Sequence, residues 1–284
     1  MSLTNNAMYK WVMEDSSPLQ GWERVGGPVF LLIGIASSVL VIWVTGNVIG
    51  SVSCRYRLSY SPRNGAFGIW GIIYPWTFAC VLFQFLNSFD ATTFYVAKFE
   101  SNVLMSVAWA SSGAWVFFFG LSDSPDPSMG LGFAAFFLLL ASITALSAVF
   151  AEHGFRREAS LVQIFTVSVP FSIYAAWLTV AASLSIGVFF KSTSNATQPL
   201  CERAPDNPAE PLIPDPEGLI DTLIPIIVAV FVSVIALTQY DPAILLPVLW
   251  AICFMKLDAV KIASIVLLLL VCVITAVLMY NSRL

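Results

Sequence analysis

Charge is what this 284-residue chain has least of: 11% of its residues are Asp, Glu, Lys or Arg, against 58% hydrophobic. A soluble domain uses roughly 25% charged residues to face water, so a supply this small excludes a water-facing surface. Uninterrupted apolar runs place the chain in lipid instead. No polar stretch exceeds about thirty residues, short of the roughly 50 residues of a minimal domain, so a large catalytic domain outside the membrane is not expected. Histidine occurs once, at His153 in a short polar connection, where it reads as a solvated loop residue. Zinc-type Cys/His spacing, a Gly-rich phosphate loop and a nucleophile elbow are all missing, so no metal and no catalytic residue is expected. A formal charge of −4 argues against nucleic acid and against a polybasic lipid-binding surface. The first 25 residues lack an apolar core and read neither as a signal peptide nor as a transit peptide. Of five cysteines, Cys80, Cys253 and Cys272 lie in apolar runs and read as small core residues, while Cys54 and Cys201 fall in loops.

A spanning helix needs roughly 17 to 25 apolar residues, and eight segments are candidates: 28–50, 66–88, 101–121, 129–151, 160–190, 218–238, 242–257 and 261–280, the seventh being short. Residues 191–217, with Pro199, Pro205, Pro208, Pro211, Pro214 and Pro216, support neither helix nor sheet and read as an exposed loop. The expected fold is therefore all-α, a polytopic transmembrane helical bundle. It comprises a polar segment 1–27, a five-helix unit 28–190, the proline-rich loop 191–217, and about three additional membrane helices in 218–284. Positive charges are almost evenly split between the two sides. The Arg55/Arg57/Arg63 cluster favours the cytosol for its side, although Cys54, Cys201 and the sequon Asn195-Ala196-Thr197 share that side. The expected location is an integral, multi-pass position in an intracellular organelle membrane rather than the plasma membrane.

Between their ends the five long N-terminal segments hold essentially no ionisable side chain. Ion-coupled transporters, proton relays and voltage sensors need such groups at membrane depth, so those classes are disfavoured. Asp221, Asp241, Lys256 and Asp258 approach membrane segments only near their ends and read as interfacial groups. Aromatic residues at helical spacing take the place of charge. Trp70 and Tyr74 are four apart, with Phe67 a turn earlier; Trp109 and Trp115 stand on the third segment; Pro170, Tyr174 and Trp177 follow i, i+4, i+7 on the fifth. Two readings stand: packing with interfacial anchoring, or an aromatic-walled cavity for a flat apolar ligand, oriented by the hydroxyls of Ser112, Ser172 and Thr179.

The order of these motifs resembles a known family. Trp70-Gly71-Ile72-Ile73-Tyr74 is similar to the W-G-x-L/I-Y of the second helix in the translocator protein family, also called tryptophan-rich sensory proteins or peripheral benzodiazepine receptors. Trp115-Val116-Phe117-Phe118-Phe119-Gly120 resembles its third-helix signature, and Tyr174-Ala175-Ala176-Trp177-Leu178 its fifth-helix Y-x-A-W motif. The match covers about residues 28–190, the family's whole fold. Two departures accompany it: Ser112 and Ser185 stand where the family shows asparagines, and three further apolar segments follow the fifth. The resemblance implies a five-helix bundle that holds porphyrins, sterols or synthetic aromatic ligands between its helices. It also implies a first loop, Ser51 to Gly65, that serves as a lid. The family's sterol-recognition pattern has an echo in Leu278-Met279-Tyr280-Asn281-Ser282-Arg283, and Gly46-Asn47-Val48-Ile49-Gly50 is a GxxxG that suits helix packing or a homodimer.

The leading expectation is a non-enzymatic membrane protein, a receptor or signalling component, that binds an apolar small molecule such as a porphyrin, haem or sterol, with no other cofactor. Its binding residues are Trp70, Tyr74, Trp109, Ser112, Trp115, Tyr174 and Trp177. Its partners are the lipid bilayer and that ligand, without nucleic acid. The rival readings are an accessory subunit of a larger membrane complex and a facilitator of an uncharged solute.

Overall fold

The computed structural model describes residues 21–45, 58, 61–62, 64–89, 97–122, 127–152, 161–193, 219–255 and 259–283. The GxxxG at 46–50, the Arg55/Arg57/Arg63 cluster, Cys54, His153, the sequon, Cys201, Lys256, Asp258 and nearly all of the proline-rich loop fall outside them. Every regular element among the described residues is helical. In chain order they are α1 (Gly21–Thr45), a 3-10 turn (Asn64–Ile69) running into α2 (Trp70–Ser88), α3 (Phe99–Leu121), α4 (Ser128–Glu152), α5 (Leu161–Thr193), α6 (Leu219–Gln239), a 3-10 turn (Pro242–Leu245) running into α7 (Leu246–Cys253), and α8 (Ala259–Arg283). The first five, α2 taken together with its leading turn from Gly65, are long and apolar enough to cross a bilayer, at 23 to 33 residues each. The chain is an integral, multi-pass membrane protein. Among the described residues the seventh candidate is shorter than a span: α7 has eight residues, about 12 Å of helix, and with its leading turn covers Pro242–Cys253.

Helix α5 is the centre. It packs against α4, α2, α6, α7 and the Pro242–Leu245 turn, while α1 packs on α3 and α2, and α3 on α4, so the first five helices close a ring. Without a hydrophobic drive between helices in lipid, close approach depends on small residues. Such residues line the α1–α3 seam. A Cβ added to Gly34 would lie 2.5 Å from the Ser106 carbonyl oxygen, and one on Gly113 would lie 2.9 Å from the Ser38 Cα. The Ser106 hydroxyl uses that proximity to donate to the Phe30 carbonyl at 2.7 Å.

A π-helical turn, Ile164–Ser168, precedes Pro170 in α5. In π register the Phe165 carbonyl would bond residue 170, whose ring nitrogen carries no hydrogen. The Trp76 indole N–H of α2 takes that place, donating to the Phe165 oxygen at 2.8 Å. A proline that would leave an unpaired carbonyl in lipid therefore becomes a cross-link between α2 and α5.

Candidate functional site

Six aromatic rings from α2 and the turn before it, α3 and α5 meet inside the ring of helices. Trp109 and Tyr174 stack at 4.0 Å with their planes 9° apart. Trp70 stacks on Tyr74 at 5.2 Å and reaches Trp109, Tyr174 and Trp177 at 6.3 to 6.4 Å. Tyr74 lies 5.3 Å from Trp109, and Phe67 meets Trp177 edge-on at 6.1 Å. Trp109, Tyr174 and Trp177 are almost completely buried, while Trp70 and Tyr74 are half-buried. The i, i+4 pair on α2 and the Tyr174/Trp177 pair on α5 come together because α2 and α5 pack directly, as their spacing predicts for shared faces.

The hydroxyls divide differently from expectation. Ser112 joins the cluster: it accepts from the Tyr174 hydroxyl at 3.0 Å and donates to the Trp109 carbonyl at 2.8 Å. Its one proton is thereby used, so the 3.3 Å contact with buried Ser38 is donated by Ser38. Thr179 instead receives a hydrogen bond from Ser142 of α4 at 2.9 Å, because its own proton goes to the Ala175 carbonyl. Ser172 donates to the Asp241 carboxylate. These two hydroxyls tie α5 to α4 and to the Asp241 segment. Trp115 lies apart from the ring stack, 5.6 Å from Phe119, and with Trp70, Ser112, Val116 and Leu178 it lines a cavity of about 10 Å³. That is room for about one water, so a ligand-sized space there requires Trp70 or its neighbours to move.

Three buried indole N–H groups, those of Trp109, Trp115 and Trp177, meet no hydrogen-bond acceptor among the described residues. In an apolar interior each such donor costs on the order of 1–3 kcal/mol. All three belong to rings around Trp70: Trp109 and Trp177 touch it, and Trp115 shares its cavity.

The sequence model of the TSPO-like protein family matches residues 28–203, more than half of the chain. The chain belongs to that family. No curated protein and no solved structure matches it. The TSPO-like region takes in α1 to α5 and thus the whole aromatic cluster. Of the two serines standing where the family resemblance places asparagines, Ser112 sits at the junction of Tyr174, Trp109 and Ser38, whereas the buried Ser185 hydroxyl has no partner among the described residues.

Several buried groups escaped the sequence. Asp241, expected at an interface, is wholly buried: it takes the Ser172 hydroxyl on Oδ2 and the Ala243 N–H on Oδ1 at 3.0 Å. Ser172 lies eleven residues past the start of α5 at Leu161, about 16 Å along the helix, so this carboxylate sits well inside the end of α5. Nothing local signals it; only the fold back of Tyr240 (φ 52°) after α6 carries Asp241 inward. Near the other end of α2, Asn102 donates to Gln84 at 2.9 Å, and Glu152 receives the Lys98 backbone N–H at 2.6 Å. Cys253 faces outward rather than into the core, because α7 turns its other face to α5.

Proposed function

We propose that this TSPO-like protein is a binding protein, not an enzyme, and that its ligand is a flat apolar molecule with hydrogen-bond acceptors at its edge. The supporting observation is the set of three buried, unpartnered indole N–H groups around Trp70. Donors without acceptors favour a ligand that brings carboxylates or carbonyls, as a porphyrin does, over a sterol with a single hydroxyl. Aromatic faces at 4 to 6.4 Å supply stacking surface for a planar ring. Trp70 is the movable wall, being half-buried and in contact with four other rings of the cluster. A binding event separates it from Trp109 and Trp177 and gives their N–H groups acceptors.

Protein purified in lipid nanodiscs and titrated with protoporphyrin and with a sterol tests this by tryptophan quenching. Saturable binding of the porphyrin is expected, with the sterol weaker, and Trp70→Ala or Trp177→Ala lowering affinity at least about tenfold through lost stacking and N–H contacts. No saturable binding, or affinity unchanged in both variants, would remove the reading. The small volume of the cavity, about 10 Å³, favours a second reading, an accessory subunit of a larger membrane complex that keeps the bundle as a scaffold.

A further inference from the structure

We propose that the C-terminal extension is a strap that holds the aromatic site shut, with Trp250 as its positioning residue; this rests on reading the Trp/Tyr cluster as a binding site. The strap is Asp241–Phe254, comprising the Pro242–Leu245 turn and α7. One end is fixed to α5. Asp241 is bound to Ser172, two residues before Tyr174, and Ile244 and Leu245 beside it are completely buried. The other end grips the turn that feeds α2. The Trp250 indole N–H donates to the Ala66 carbonyl at 2.7 Å. Phe254 packs on Trp250 with ring centroids 5.1 Å apart and presses on Gly65 so closely that a Cβ there would lie 2.5 Å from its ring.

The two gripped elements carry most of the rings. Tyr174 and Trp177 stand on α5; Phe67 lies within the gripped turn, and Trp70 and Tyr74 follow it on α2. The cavity that Trp70 lines with Leu178 and Ala181 of α5 has room for about one water, so a ligand enters there when the start of α2 moves away from α5. A strap tied to both opposes that motion. The arrangement is asymmetric: among the described residues α3, which carries Trp109, shares no hydrogen bond with the strap, so opening concerns residues 64–74. In population terms the strap lowers the fraction of molecules open to ligand and reduces apparent affinity by that fraction.

The test uses the full chain in nanodiscs and compares wild type with Trp250→Phe, which keeps a ring but removes the N–H, and with Asp241→Asn at the other anchor. Trp43→Phe, an exposed position on α1, is the control. Hydrogen exchange read by mass spectrometry needs no ligand. Exchange at residues 64–74 is expected to rise in both strap variants, with α3 and α4 unchanged. Protoporphyrin association is expected to accelerate by up to about tenfold, the population shift from one lost hydrogen bond, with dissociation unchanged. A role in bundle stability alone would give faster exchange throughout and weaker binding, and would overturn the proposal, as would unchanged exchange at 64–74. Faster exchange there with unaltered association also overturns it. Faster exchange confined to 64–74 together with no binding of porphyrin or sterol by any form supports the strap and sinks the ligand reading alone.

Discussion

Ser112 fills every hydrogen-bonding position it has, donating to the Trp109 carbonyl and accepting from Tyr174 and Ser38. It therefore ties α1, α3 and α5 together at the level of the ring stack. Tyr174→Phe keeps the 4.0 Å stacking on Trp109 and drops a single bond, so it should cost about 1 kcal/mol. Trp109→Ala removes a fully buried ring and should cost about 3–5 kcal/mol. Denaturant unfolding in mild detergent measures both; equal losses would show that the hydroxyl, rather than the stack, dominates this junction. The same residues expose a limit of sequence reading. Ser112, Ser172 and Thr179 are equivalent as letters on apolar helices, yet one joins the ring cluster and two join helices, because the partner is supplied by another segment in each case.

Helix α1 meets α3 through absent side chains. At Gly34 a Cβ would strike backbone oxygen, which cannot rotate away, so Gly34→Leu should separate the helices and destabilise by about 1–3 kcal/mol or more. Gly71 on α2 is different, because a Cβ added there would meet nothing within 4 Å, and Gly71→Ala should instead stabilise by about 0.5–1 kcal/mol through helix propensity alone. Thermal scans of the two variants in one detergent decide between this packing account and a general intolerance of glycine replacement, which predicts losses at both. The π turn of α5 belongs to the same scale. It was not legible in the sequence, though Pro170 announced an irregularity; its resolution depended on Trp76 arriving from α2.

For the molecule as a whole, the ring of five helices, with α6 and α7 against α5 and α8 against α6, has its exposed large apolar side chains spread over α1 to α8, as expected for lipid contact. A ligand-binding protein of this kind should migrate on native gels after gentle extraction as a monomer or small homo-oligomer. Co-migration with a much larger assembly would favour the subunit reading. The helical class, seven of the eight segments as long helices, and the family were legible because lipid leaves few options: backbone groups must pair within the segment, and about 20 apolar residues mark each crossing. The short seventh segment was ambiguous for the same reason, since apolar character does not separate a span from a helix buried against another.

The sequence by itself determined the solvent, the helices and which faces carry tryptophan and tyrosine, since those follow from composition and the 3.6-residue period of single segments. Tertiary structure alone decided that the rings pack on one another and leave a cavity of only about 10 Å³ beside Trp70, that Asp241 is buried beside Ser172, and that Trp250 grips Ala66 across 184 positions of chain. The physical reason is sequence distance. A helical face is written in residues four apart, whereas a hydrogen bond between separate helices depends on their relative rotation and depth, which only the packed bundle fixes.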